Sequence, residues 1–150
     1  MLATEDTILS EPTVIYQVLM NLCSNAAQAM EKTGGAIVIR MRNVVFDAGK
    51  QGAPRGLTSG KYLLLTVADT GPGIDPAIID RIFNPYFTTK EVGKGTGMGL
   101  AVVKGIVESH KGAVSVTSKP GNGATFTVYF PSVKGWRIGS RQQENYNLFP

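Results

Sequence analysis

The stretch KYLLLTVADTGPGI, residues 61–74, decides how the rest of the chain is read. Leu63, Leu65, Val67 and Asp69 share one face of a strand by its two-residue period, so three apolar side chains lead to a carboxylate at the rim of a buried surface. Gly71 and Gly73 let the chain turn tightly or pass close to another group, and Pro72 between them stiffens the turn. An aspartate in that place has two readings. It caps its own turn, or it accepts a hydrogen bond from an exocyclic amine whose ring rests on the apolar neighbours.

Working outward, SEPTVIYQVLMNLCSNAAQAM (10–30) reads as a helix with Ser10 as N-cap, Ile15, Leu19, Leu22 and Ala26 toward a core, and Gly34-Gly35 as its stop. AIVIRMRNVVF (36–46) alternates as a half-buried strand, and the Gly, Pro and Ser-rich segment 47–60 reads as a connection. PAIIDRIF (76–83) reads as a short helix, MGLAVVKGIVESHKG (98–112) as a long one, and AVSVTSKPGNGATFTVYFP (113–131) as a hairpin. This order predicts an α/β (α+β) two-layer sandwich, with helices on one face of a mixed, mostly antiparallel sheet. Residues 1–133 form the expected domain. Residues 134–150, with WRIGSRQQENYNLFP, have no periodicity and read as a disordered tail.

Composition narrows the function. The 150 residues are 43% hydrophobic and 17% charged, a globular balance. A net charge of +4 with scattered lysines and arginines argues against nucleic acid as partner. One cysteine, Cys23, and one histidine, His110, exclude an internal disulfide and a zinc cluster. Without a membrane-spanning run or signal-peptide pattern, the expected setting is cytoplasmic, with no membrane contact by a monomeric domain.

Asn21 and Asn25, four apart, share a helix face although asparagine is a poor helix-interior residue. They are surface amides, or one of them holds its carbonyl oxygen for a hard cation such as Mg²⁺. GKGTGMGLA (93–101) matches neither a P-loop nor a dinucleotide fingerprint. It reads instead as a flap feeding a helix N-terminus, whose exposed amides favour phosphate.

Together, NLCSNAAQAM, DTGPGI, IFNPYFTTK, GKGTGMGL and GNGATF resemble, in order, the N box, first glycine box, F box, ATP lid and last glycine box of histidine kinases. The chain resembles the catalytic and ATP-binding domain of a two-component sensor histidine kinase, in the Bergerat-fold superfamily that includes gyrase and mismatch-repair ATPases. The resemblance implies ATP and Mg²⁺ as ligands, with Asn25 on the metal and Asp69 on the adenine amine. It implies that Gly71, Gly73 and Ile74 line the base and that Thr125 lies near it. Gly95, Thr96, Gly97, Met98, Gly99 and Leu100 would cover the phosphates, which Lys90 and Lys32 could reach. Phe83, Tyr86 and Phe87 either pack under the lid or grip the phosphoacceptor helices.

Hydrolytic relatives resemble Glu-x-x-x-Asn, where the glutamate takes a proton from water. Asn21 fills that place here, and an amide is no general base at neutral pH. The expected activity is therefore that of a protein-histidine kinase whose acceptor brings its own nucleophile. The implied partners are the dimerisation and phosphoacceptor helices of its own or an adjacent subunit and, indirectly, a response regulator. His110, at a helix C-terminus, reads as a cap rather than an acceptor.

Overall fold

The computed structural model describes residues 12–47, 56–87, 99–131 and 145–147. Helix α1 spans Pro12–Ala29. Its buried stripe is Val18, Leu22, Ala26 and Met30, each four residues after the last, with Ile15 and Leu19 only partly buried beside it. The chain leaves α1 through a turn in which the Gly34 amide donates to the Met30 carbonyl at 2.7 Å. Gly34 there has φ +71°, a conformation glycine adopts without a Cβ penalty.

Strands β1 (Ile37–Phe46) and β2 (Gly60–Asp69) pair antiparallel from Ile37 opposite Asp69 to Phe46 opposite Gly60. After a 3-10 turn at Ile79–Arg81 and helix α2 (Gly99–Ser109), strands β3 (Ala113–Ser118) and β4 (Ala124–Pro131) form the hairpin. A short strand β5, Asn145–Asn147, pairs with β1. The sheet order is β3-β4-β2-β1-β5, and every described ladder is antiparallel, so the expected mixed component is absent from the described residues.

Both helices lie on the face carrying Ile37, Ile39, Leu63, Leu65, Val67, Phe126, Val128 and Phe130; Val18, Leu22, Val103 and Val107 complete that core. The opposite face carries a smaller aromatic cluster, with the Phe46 ring 5.6 Å from Tyr62 and 5.7 Å from Tyr129. Tyr62 and Leu64 are buried there, so central β2 is covered on both sides along Tyr62–Leu65.

Two expectations are corrected, the helix at 76–83 and the disordered tail. Segment 76–83 forms turns and one 3-10 turn instead of a helix. The Asp75 carboxylate accepts the Ala77 amide at 2.9 Å, as an N-cap does, but the backbone bonds that follow, Ile78 N–H to Asp75 O at 3.0 Å and Arg81 N–H to Ile78 O at 2.8 Å, close over three residues, so the segment keeps 3-10 and turn geometry. At the end of α2 the left-handed residue is Lys111 (φ +62°), with Gly112 N–H donating to Val107 O and Lys111 N–H to Glu108 O. This is a Schellman stop, in which Gly112 is required for another reason: a Cβ there would strike the Tyr129 carbonyl. Finally, Asn145–Asn147 falls inside the stretch read as a disordered tail, yet it forms a strand. The outer edge of β1 offers unpaired backbone groups that any extended segment can satisfy. Ser10 lies outside the described residues.

Phe126 is 3% exposed and meets Phe83 edge-on at 6.1 Å, so Phe126→Ala should cost about 3–5 kcal/mol in urea unfolding. Tyr86→Ala, at a side chain 76% exposed, should cost well under that.

Candidate functional site: the end of β2 and the flank of α1

Asp69 closes β2 as the period-two pattern requires, and one of its oxygens is already engaged. Oδ1 accepts the Gly71 amide at 2.8 Å and, more weakly, the Ala124 amide at 3.3 Å. The first bond is the Asx turn of the capping reading; the second joins the turn to β4. Oδ2 accepts no hydrogen bond among the described residues, which leaves one oxygen for a ligand. The two readings of Asp69 are therefore compatible, one per oxygen.

The turn after Asp69 is fixed on every side. The Thr70 hydroxyl accepts the Ala36 amide at 2.9 Å while Thr70 N–H donates to Ala36 O, which locks the turn to the start of β1. Gly121 N–H donates to Pro72 O at 2.6 Å. The Ser118 hydroxyl accepts the Ile74 amide at 2.8 Å and donates to Gly123 O at 2.7 Å. Gly71 is buried, and a Cβ on it would come within 3.0 Å of Met30 Cγ and 3.1 Å of Asp69 Oδ1. Gly73 has φ +82°, and a Cβ there would meet the Lys119 carbonyl. Protein packing already accounts for both glycines, without any ligand.

The same contacts bring the turn to the C-terminal end of α1, since an added Cβ at Gly71 would lie 3.8 Å from Ala29 O. Asn21, Asn25 and Ala29 follow at four-residue steps, so the two amides form a stripe leading to the turn. Both asparagines are half-buried, and Asn25 has an interaction partner within the chain. The whole of α1 is uncharged. Helix α2 ends three residues before β3 begins, at the far end of the sheet from Asp69. Its first residue is Gly99. Space around Gly99 is open.

Other expected site residues divide clearly. Ile74 and Leu100 are half-buried against the core. Lys32 is exposed beyond the end of α1. Thr125 stands opposite Ala68, so its side chain faces away from the helices and from the Asp69 carboxylate, and the structure does not bring the two together. Lys90, Gly95, Thr96, Gly97 and Met98 lie outside the described residues. Phe83 packs on Phe126; Phe87 packs against the core with the Arg81 guanidinium 5.2 Å from its ring centre; Tyr86 is exposed with φ +67°. His110 Nδ1 lies 2.9 Å from Ile106 O, as a helix cap would; a carbonyl only accepts, so Nδ1 carries the proton. Burial raises the Cys23 thiol above its ordinary pKa, which suits a core residue rather than a nucleophile.

Sequence reasoning missed Ser118. Val114, Val116 and Ser118 repeat the signature of β2, apolar side chains on one face followed by a polar one at the strand end. Applied twice, the same rule finds both partners.

An antiparallel sandwich with a strand-end acid beside a helix-borne amide stripe is the Bergerat-type architecture. Residues 10–134 match the family described as "Histidine kinase-, DNA gyrase B-, and HSP90-like ATPase", and the chain belongs to that family. It is 45% identical over 116 residues to the sensor kinase CckA of Brucella abortus (strain 2308), covering 77% of this chain and 12% of that protein. It is 39% identical over 137 residues to the sensor histidine kinase ZraS of Salmonella typhi, covering 91% of this chain and 24% of that protein. Among solved structures, full-length ShkA in complex with AMPPNP superposes with TM-score 0.57 at 30% identity, over 80% of this chain and 22% of that one. The chain thus spans a quarter or less of the length of these relatives.

Two substitutions separate glycines the fold needs from one it does not. Gly73→Ala should destabilise by about 1–3 kcal/mol, through its positive φ and the Lys119 carbonyl. Gly105→Ala, in the interior of α2 with open space around it, should stabilise by about 0.5–1 kcal/mol. Thermal unfolding of the two variants checks both signs.

Proposed function

We propose that this chain is the ATP-binding catalytic domain of a histidine kinase. It positions the γ-phosphoryl group of ATP for transfer to a histidine on separate dimerisation and phosphoacceptor helices, in cytoplasmic two-component signalling that ends at a response regulator. The observation that carries the reading is the division of labour on Asp69. Oδ1 is consumed by backbone amides, and Oδ2, which accepts no hydrogen bond among the described residues, is an acceptor of the kind an adenine amino group needs. The AMPPNP in the ShkA relative supports adenosine triphosphate as the ligand class.

The residues fit Mg²⁺ as companion of the phosphates. Among the described residues no group of three His, Cys, Asp or Glu could hold a metal outright. A single amide oxygen, that of Asn25, suits an ion that keeps several waters and takes its other ligands from phosphate. When bound, the ion neutralises charge on the phosphate oxygens. Asn25 would hold it from the stripe on α1, and the α2 N-terminus, with no acidic residue in its first turn, would offer the phosphates its first-turn amides. Lys90 and Lys32 are candidates for the terminal phosphates.

In the transfer step the acceptor imidazole nitrogen forms a bond to the γ-phosphorus as the bond to the β–γ bridging oxygen breaks, and ADP leaves. The protein's task is alignment and charge stabilisation. No side chain on α1 can take a proton from water, since the helix has no acid, and this disfavours a hydrolytic gate.

Asp69→Asn tests the base contact. Asparagine can still accept the Gly71 and Ala124 amides, but it presents an NH₂ where the adenine amine needs an acceptor. ATP affinity should fall about 10-fold or more by calorimetry, and inosine triphosphate, with an oxygen at that ring position, should lose less. Asn25→Ala should abolish label transfer from γ-labelled ATP to added histidine-bearing helices. Normal transfer by that variant would remove Asn25 from the proposed role.

A further inference from the structure

We propose that Ser118 is a positioning residue that sets the wall of the base site by clamping the turn after β2 to the β3–β4 hairpin; the assignment rests on the nucleotide reading above. Three ties join turn and hairpin. Asp69 Oδ1 accepts the Ala124 amide, Pro72 O accepts the Gly121 amide, and the Ser118 hydroxyl accepts the Ile74 amide at 2.8 Å. Ser118 has one proton, and it goes to Gly123 O at 2.7 Å, so the hydroxyl is oriented with a lone pair toward Ile74. Gly123 (φ +75°) is itself pressed against the Asp69 carbonyl, where a Cβ would collide. The hydroxyl therefore links Ile74 to the backbone that packs on Asp69.

The second tie is made by backbone alone and the first depends on the acid. Ser118 is the one tie that can be removed while Asp69 keeps both of its amide bonds. Without it the half-buried Ile74 amide loses its partner, and the turn from Gly73 to Ile74 is free to move from the hairpin, carrying the Ile74 side chain off the core. The acid would stay while the wall beside it shifts. Such a defect acts on the base and spares the phosphates.

The test compares the 150-residue chain with its Ser118→Ala and Ser118→Thr variants. Ser118→Ala should stay folded, lose about 5-fold to 10-fold in affinity for ATP, ADP and adenosine alike, and compete with Mg²⁺–inorganic triphosphate as the wild type does. In phosphotransfer the KM for ATP should rise by the same factor with kcat nearly unchanged. Ser118→Thr, which restores a hydroxyl and suits a strand, should recover most of the affinity. Amide hydrogen exchange at Ile74, measured without nucleotide, should speed up in Ser118→Ala only. ATP affinity within about twofold of wild type, or failure of Thr to rescue, would overturn the positioning role. Unchanged exchange at Ile74 would overturn the clamp itself. A wild-type chain that binds no adenosine nucleotide would instead overturn the reading of the site, a failure the ligand-free exchange comparison tells apart.

Discussion

One oxygen of Asp69 holds the end of the sheet together. By accepting the amides of Gly71 and Ala124 it joins a tight turn to the first residue of the neighbouring strand, across 55 positions of sequence. Hydrogen bonds to a carboxylate are stronger than those between neutral groups, so this joint is a firm one. Thr70 of the turn it fixes reaches Met30 Sδ at 3.7 Å, so the C-terminus of α1 is registered against the same point. Sheet, hairpin and helix thus meet at an atom whose partner oxygen is left for other work.

The rest of the site follows from that registration. Asn21 and Asn25 gain a defined relation to the acid only because α1 ends against the turn. An uncharged helix flank, a single strand-end carboxylate and a helix N-terminus have little capacity for acid–base chemistry. They are suited to holding a polyanion with an attached base in one orientation, where orientation and dipoles supply the rate. With an amide at position 21 and no acid anywhere along α1, this flank supplies no general base of its own.

Much of this was legible in the sequence where local periodicity and burial agree. Leu63, Leu65, Val67 and Asp69 share a face as their spacing dictates, and β2, at the centre of the sheet, is covered on both faces along Tyr62–Leu65. The glycines were legible as special backbone but not in their cause. Gly73 yields to the Lys119 carbonyl and Gly112 to that of Tyr129, both long-range encounters invisible to local reading. Thr125 was placed near the base by motif position, yet register turns it to the other face, since a shift of one residue reverses every side chain of a strand. At 76–83 the backbone closes over three residues instead of four, a tightening that composition does not reveal, and β5 was missed because pairing with an edge needs no sequence pattern of its own.

The most direct test is a crystal structure of this chain with Mg²⁺ and a non-hydrolysable ATP analogue. The account predicts the adenine amino nitrogen about 2.7–3.2 Å from Asp69 Oδ2, with Oδ1 still accepting Gly71 and Ala124. Adenine bound elsewhere, or an Asp69 carboxylate wholly occupied by the protein, would contradict it.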